Sequence, residues 1–220
     1  MCCSNEFNFD SIADDLLTEL KKSASGIVSP TSLSSPRAVG DAVQEYLADG
    51  GLNTVLSSYG VDVESEFGRR AMEDMAFKDS KGNYYAVDVK THNLDTDFNM
   101  PNLISVKRLA TFYKNDDHNH FCILIVKYKI TGDKIDYKKC YFKPIECFKW
   151  SCLSLGALGW GQIQITNAKS LDFDNNSNRK QWMLQLCKNL EAFYDEEIAK
   201  IGERKTWFQT IKEYWESKAN

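Results

Sequence analysis

Apolar residues in the first half of the chain recur first at helical spacing and then at strand spacing. They recur every three or four positions over residues 8–22 and again from Ser35-Pro36 to Gly50-Gly51, which predicts two amphipathic helices. The Ser- and Pro-rich stretch 23–36 between them is predicted to be a loop. A strand is expected over residues 60–67 and a β-hairpin over residues 71–91.

The second half is predicted to contain three strands between two helices. Residues 120–130 are too continuously apolar for an edge strand and are expected to form a central strand, whereas residues 135–142 alternate and are expected further out. The other predicted elements are a helix over 102–114, a glycine-rich loop over 155–161, a strand over 162–165 and a largely helical segment over 178–217. This pattern predicts an α/β fold in which a mixed β-sheet is flanked by α-helices.

Composition narrows the class of protein. With 220 residues, 43% hydrophobic and 26% charged, the chain is expected to form a single globular domain over residues 1–220. It has no run of 18 apolar residues and no basic-then-apolar leader, so we expect no membrane span and no signal peptide. Its seven cysteines include no C-x-x-C pair, and its three histidines fit no zinc spacing. We therefore expect no zinc, reduced thiols and a cytoplasmic location, with Cys122 and Cys187 in the core.

Charge is distributed unevenly around a net value of −4. Residues 1–100 carry a balance of −9, and residues 101–220 carry +5. The basic half could supply contacts to phosphate groups, as a nucleic-acid partner requires. The candidates for these contacts are Lys107, Arg108, Lys127, Lys129, Lys138, Lys139, Lys143 and Lys149.

The tripeptide Asp-x-Lys is the main candidate for chemistry, and it occurs three times, at residues 79–81, 88–90 and 136–138. The first copy lies within the turn signal of the predicted hairpin. The third lies in a polar strand and has no matching acid upstream. The middle copy, Asp88-Val89-Lys90, follows an apolar strand and is preceded at hairpin distance by Asp74, so it is the copy we expect to be functional.

The hairpin brings Asp74 beside this tripeptide in either of two registers. If the turn is centred on Lys81, Asp74 lies opposite Asp88; if it is centred on Gly82, Asp74 lies opposite Lys90. Residues two apart on a strand share a face, so Asp88 and Lys90 point the same way. Both registers therefore predict two carboxylates and one ammonium group together.

Two facing carboxylates repel each other, and a divalent cation would reverse the sign of that interaction. Mg²⁺ commonly binds one or two carboxylates together with phosphate oxygens and water. Hydrolysis of a phosphodiester requires a metal-bound phosphate and a nearby cationic group. Lys90 would be that group: it would hold the attacking water and offset charge in the transition state. The alternative is a surface salt bridge between Lys90 and one acid, worth about 0–1 kcal/mol.

Three sequence blocks resemble the PD-(D/E)xK nuclease superfamily, and more narrowly type II restriction endonucleases of the HpaI, HincII and SwaI kind, in the EcoRV branch. The blocks are Glu73-Asp74-Met75 with Ala86-Val87-Asp88-Val89-Lys90-Thr91, then Pro101-Asn102-Leu103-Ile104-Ser105, then Ala157-Leu158-Gly159-Trp160-Gly161-Gln162-Ile163-Gln164-Ile165. With the order of elements, the resemblance covers about residues 36–215. It implies a restriction-endonuclease-like fold and a Mg²⁺-dependent homodimer of a restriction-modification system. Such an enzyme cuts both strands of a short palindrome in double-stranded DNA and tends to leave blunt ends.

The resemblance also implies roles for particular residues. Asp74 and Asp88 take the metal-binding places, and these two with Lys90 take the catalytic ones. Where relatives often carry Glu on the upstream helix, this chain has Gln44, so Glu45 and Asp41 are the alternative accessory acids, each equally consistent with an exposed helix residue. The implied DNA-binding residues are Asn93, Asn99, Asn102, Gly159, Trp160, Gly161, Gln162, Gln164 and Asn167.

Among these, Asn99 corresponds to a wedge at the central base step. Amides such as Gln162 and Asn167 can donate and accept at base edges. Gln162 and Gln164 also share one strand face, where both could simply be solvated. Two other functions are compatible with the sequence: a DNA repair or junction-resolving nuclease of the same fold, against which the third block argues, and a non-catalytic DNA-binding module.

Overall fold

Two β-sheets with helices beside them carry the residues of interest. The structure is a computed structural model that describes residues 7–29, 35–65, 71–96, 102–132, 134–166 and 170–218. Its strands are β1 (Val63–Glu64), β2 (Met75–Lys78), β3 (Tyr84–Asn93), β4 (Asn102–Ser105), β5 (Asn119–Thr131), β6 (Lys134–Pro144), β7 (Leu153–Gly156) and β8 (Gln162–Ile165). Its α-helices are α1 (Phe9–Ile27), α2 (Pro36–Tyr46), α3 (Leu52–Leu56), α4 (Val106–Asn115) and α5 (Arg179–Glu216). The predicted mixed α/β class is confirmed.

Within the described residues, the larger sheet has five strands in the order β1-β2-β3-β5-β6. β3 and β5 run parallel and the other neighbours antiparallel, so the sheet is mixed, as predicted. β5 lies between β3 and β6 and is buried almost throughout, so it is not an edge strand, as predicted; the middle strand of the five is β3, however, and not β5. β6 lies further out, also as predicted.

The β2–β3 hairpin adopts the register centred on Lys81, with Met75 opposite Val87 and Lys78 opposite Tyr84. Asp79 fixes this turn, because its carboxylate accepts hydrogen bonds from the backbone of Lys81 and Asn83 at 2.9 Å each. Burial raises the pKa of Asp79, but hydrogen bonds from Asn83, Tyr85 and Lys81 outweigh it and lower that pKa overall. The first Asp-x-Lys copy is therefore a structural turn, as predicted.

The predicted helix over 102–114 is wrong in its first part. Residues 102–105 form β4, and helix α4 begins only at Val106. The predicted loop over 155–161 is also too long, because Leu153–Gly156 form β7. Both strands pair with β8 in a second sheet of order β4-β8-β7. This long-range pairing buries Leu103 and Ile104 on a strand, and local spacing alone does not reveal it.

The first helix runs further than predicted, whereas the second ends where its glycines predict. α1 extends to Ile27, so the start of the predicted loop is helical; of the rest of that loop, residues 30–34 lie outside the described part. The second helix is broken at Gly50-Gly51, as predicted: the backbone of Gly50 is not helical, and a separate helix, α3, begins at Leu52. Gly50 adopts φ 122° there, a conformation that favours glycine. The described part of the predicted strand 60–67 is β1 alone, and residues 66–70 are outside the description.

The main core lies between α1, α2 and one face of the larger sheet. The helical faces predicted from sequence are buried, including Ile12, Leu16 and Val43. Cys122 is buried as predicted, but the prediction for Cys187 is wrong, because that residue is exposed on α5.

The chain forms two compact units, one up to Ser177 and one from Asn178 onward. The second consists largely of α5, which confirms the helix predicted over 178–217. No helix among the described residues is both long and apolar enough to cross a membrane. The assignment of residues 1–220 to one nuclease domain stays a prediction.

Candidate functional site

Asp88 and Lys90 form a close ion pair on one face of β3. The Lys90 Nζ atom lies 2.7 Å from each carboxylate oxygen of Asp88. The Oδ1 atom accepts the hydrogen bond, whereas the buried Oδ2 atom has no hydrogen-bond donor among the described residues despite the short ionic contact. Asp88 is only 7% exposed, so its charge is largely removed from water. The pair is thus unlike an ordinary surface salt bridge.

The environment of Asp88 disfavours its ionised form. Burial is the largest effect and raises the pKa of the Asp88 carboxyl to about 7, even though the nearby Lys90 charge acts to lower it. The charge of Asp74 raises the pKa further. A carboxyl group whose pKa is raised this far by burial, next to a specific charged partner, often marks a functional site.

Asp74 lies just before β2, opposite Asp88 in the observed register. Its Oδ2 atom accepts a hydrogen bond from the backbone N–H of Val89 at 2.7 Å. Its Oδ1 atom accepts one from the Gln44 side-chain amide, also at 2.7 Å. Both oxygens are therefore fixed by donors that add no charge. The predicted convergence of Asp74 with the Asp88–Lys90 pair is what the structure shows.

Gln44 is a site residue whose role the sequence did not reveal. It appeared only as a departure from a family pattern, yet α2 presents its amide directly to Asp74. Gly40, one turn earlier, allows this approach, since a Cβ atom at that position would lie 2.9 Å from the Thr91 Oγ1 atom on β3. A glycine and a polar residue four positions apart on one helix face are the signal that could have found it.

A cavity of about 400 Å³ opens beside Lys90, between α2 and β3. Among its lining residues are Arg37, Asp41, Gln44 and Asn93. Asp41 is exposed and lies 3.9 Å from Arg37, whereas Glu45 is exposed and does not line this cavity. The proposal that either is an accessory acid stays a prediction.

The donor set is small for a metal site but is compatible with Mg²⁺. Among the described residues, no group of three or more His, Cys, Asp or Glu side chains is arranged to hold a metal ion. Mg²⁺, however, is commonly held by one or two carboxylates, with water and substrate phosphate completing its shell. Asp74 and Asp88 supply two carboxylates, and the Oδ2 atom of Asp88 still lacks a hydrogen bond. These residues therefore fit a magnesium ion that also needs oxygen ligands from substrate.

Several of the predicted DNA-binding residues lie on the second sheet and at its edges. The Gln164 amide donates to the Asn102 side-chain oxygen at 2.6 Å, so these two side chains are engaged with each other. Gly156 permits this, because a Cβ atom there would lie 2.7 Å from the Gln164 amide. Asn93 lines the cavity beside Lys90, and its Oδ1 atom accepts from the Asp95 backbone. Asn99 and Asn167 lie outside the described residues.

The turn between β7 and β8 presents an exposed aromatic side chain. Gly159 and Gly161 adopt φ values of 62° and 110°, which shape the turn around Trp160. The Trp160 side chain is 64% exposed, and the Lys107 Nζ atom lies 4.5 Å from its ring centroid. Gln162 follows in β8 and is partly buried. An exposed indole next to a cation can stack on a base and contact a phosphate.

The third Asp-x-Lys copy provides an internal comparison. Asp136 and Lys138 form an ion pair on β6, and their side chains are 44% and 43% exposed. This pair is therefore screened by solvent, unlike Asp88 and Lys90. The same tripeptide in one chain thus occupies two physically different environments.

Comparison with known proteins gives no family assignment. The chain matches no model of a known protein family, and no curated protein sequence matches it. Because one fold can support many functions, a function has to be argued from the site itself. Asp74, Asp88, Lys90 and Gln44 are the residues on which that argument rests.

Proposed function

We propose that this protein is a Mg²⁺-dependent type II restriction endonuclease with a restriction-endonuclease-like fold. It would make sequence-specific double-strand cuts in a short palindromic DNA site, with blunt ends, in the cytoplasm. The observation that carries the proposal is the convergence of Asp74, Asp88 and Lys90, with the Asp88 carboxyl buried and its pKa raised to about 7. A purely structural sheet gains nothing from facing carboxylates.

Each residue has a definable part in this chemistry. Asp74 and Asp88 would hold Mg²⁺, which when bound polarises the scissile phosphate and acidifies a water molecule. Lys90, held by Asp88 at 2.7 Å, would orient the attacking water and offset negative charge on the phosphate as the transition state forms. Gln44 and the Val89 backbone fix both oxygens of Asp74, so the carboxylate needs little reorganisation when it binds a ligand.

DNA contacts would come from exposed basic residues in the second half of the chain and from the glycine-shaped turn at Trp160. Lys127 and Lys143, two of the candidates for phosphate contacts, are buried and so would not take part. Lys107 and Trp160 already lie in contact, and both are exposed. Cutting both strands of a palindrome requires two related active sites, so the working form would be a homodimer.

A DNA repair or junction-resolving nuclease is the second candidate. It is favoured by the 2.6 Å contact between Gln164 and Asn102, which occupies two amides that base recognition would use. The same catalytic residues would serve such an enzyme. A non-catalytic DNA-binding module is the remaining alternative.

Incubation of the purified protein with plasmid DNA and Mg²⁺ separates these functions. Discrete, reproducible fragments support a restriction endonuclease, whereas random nicking supports a repair-type nuclease. Asp88→Ala is expected to abolish either activity, and Asp136→Ala, in the exposed copy of the same tripeptide, is the matched control that should retain it. Intact DNA with the wild-type protein and many different substrates would contradict both nuclease proposals.

A further inference from the structure

Helix α5 exposes a series of large apolar side chains along most of its length. Within residues 179–216, all of which the structure describes, the buried side chains are Trp182 and Leu186, both near the N-terminal end. Further along, Ile198 and Phe208 are 67% and 63% exposed. Helices in proteins gain most of their stability by packing an apolar face. The exposed apolar side chains therefore indicate that α5 packs against a partner.

The spacing of these side chains indicates a second helix as that partner. The residues in question lie at successive intervals of four, three, seven and seven positions: Tyr194, Ile198, Ile201, Phe208 and Trp215. An average repeat of 3.5 residues is the seam of a left-handed coiled coil. Lys205 and Lys212 occupy the two positions at which this seam would take a further apolar residue. Their aliphatic stems can pack there while the ammonium groups reach solvent.

Charge favours an antiparallel copy of the same helix over a parallel one. In a parallel pair, Lys205 and Lys212 would each face their own counterpart, which is repulsive. In an antiparallel pair with Ile198 opposite Ile201 of the second copy, Lys205 faces Tyr194 instead of another lysine. Glu197 and Arg204 each precede a seam position by one residue, and such positions face each other in antiparallel pairs. The pair would then carry two symmetry-related Glu197–Arg204 contacts between copies, both on the same side of the seam.

The available area is sufficient for a specific contact. Each exposed seam side chain offers roughly 100 Å² of apolar surface, so five of them offer roughly 500 Å² per copy. A pair of helices would bury roughly 1,000 Å² before the flanking side chains are included, which is about the minimum for a specific interface.

We propose that α5 pairs antiparallel with α5 of a second copy of this chain, with Tyr194, Ile198, Ile201, Phe208 and Trp215 in the seam. This dimer rests on the proposed nuclease function in one respect: cutting both strands of a palindrome requires two copies of the active site. The pairing is nevertheless tested without DNA or metal, so its failure and the failure of the nuclease proposal are distinguishable.

Sedimentation velocity of the full-length protein over a wide concentration range tests the pairing. The wild-type chain is expected to be a dimer, and Phe208→Ser is expected to raise its dissociation constant at least roughly tenfold by removing a large aromatic side chain from the seam. Trp207→Ser is the matched control, since Trp207 neighbours Phe208, is 56% exposed and lies off the seam. A wild-type monomer at all concentrations, or a Phe208→Ser dimer as tight as the control, would overturn the proposal.

A charge exchange tests the antiparallel orientation and does not disturb the apolar seam. Glu197→Arg and Arg204→Glu are each expected to raise the dissociation constant by roughly tenfold, because each places like charges together twice in the dimer. The double variant restores the opposite charges and is expected to dimerise as the wild type does. Circular dichroism verifies that helix content is unchanged in each variant. A double variant weaker than both single variants would exclude this arrangement.

Discussion

Substituting Asp88 by asparagine is expected to change how the stability of the protein depends on pH. In the folded chain, burial raises the pKa of this carboxyl to about 7, above the value of about 3.9 expected when the chain is unfolded. The folded state therefore retains the proton over a pH range in which the unfolded state has released it. The stabilisation is complete below about pH 4 and is lost as the pH rises through 7.

The magnitude follows from the separation of the two pKa values. Each tenfold change in proton affinity corresponds to about 1.4 kcal/mol, so the full effect is at most about 4 kcal/mol. Between pH 4.5 and pH 8, the wild-type protein should lose about 3 kcal/mol relative to Asp88→Asn, because asparagine has no proton to release. Titrating groups remote from residue 88 are common to both proteins and cancel in this difference.

Urea denaturation with a metal chelator present measures the effect. The free energy of unfolding of Asp88→Asn minus that of wild type should increase with pH by about 3 kcal/mol. Asp136→Asn is the control: Asp136 is 44% exposed, and its difference from wild type should stay within about 0.5 kcal/mol at every pH. If the Asp88→Asn difference is equally flat, burial does not perturb this carboxyl and the reasoning is refuted.

Three further substitutions test the site and its surroundings. Gln44→Glu places a second negative charge against Asp74, so it should lower the melting temperature without metal and enlarge its rise on adding Mg²⁺, measured by calorimetry. Asp79→Ala removes the hydrogen bonds that hold the hairpin turn and should cost about 2–3 kcal/mol in urea denaturation. Trp160→Ala should weaken DNA binding roughly tenfold in fluorescence anisotropy and leave the melting temperature unchanged.

Each of these expectations has a contrary outcome. If Mg²⁺ raises the melting temperature of Gln44→Glu and of wild type equally, residue 44 does not lie at a metal site. An Asp79→Ala variant as stable as wild type would show that the turn forms without its carboxylate. If Trp160→Ala binds DNA as tightly as wild type, the β7–β8 turn is not part of the DNA-binding surface.

The hairpin and its cluster could be predicted from sequence because they depend on short-range geometry. A turn signal between two apolar strands limits the register to two choices, and both bring Asp74 to the same pair. The choice between them depends on the hydrogen bonds of Asp79, since its side chain fixes where the chain reverses. Elements with strong periodicity, such as α1, β5 and α5, were predicted for the same reason.

Features that depend on contacts between distant segments were not predictable in this way. β4 and β7 are short strands whose pairing with β8 decides their conformation, and their local spacing suggested a helix and a loop. The hydrogen bond from Gln44 to Asp74 requires α2 to approach β3 closely at Gly40. The burial that raises the pKa of Asp88 results from the assembled sheet and helices.

The central claim is that Lys90, held by Asp88, acts in metal-dependent hydrolysis of DNA. Its most direct test is the single-turnover cleavage rate with Mg²⁺ for wild type, Lys90→Ala and Lys138→Ala, the last being the exposed lysine of the same tripeptide on β6. At saturating protein, where loss of a phosphate contact by Lys138 would change binding but not the rate, the account predicts that Lys90→Ala slows cleavage by at least about 100-fold and that Lys138→Ala cleaves at the wild-type rate. Equal rates for Lys90→Ala and Lys138→Ala would contradict it.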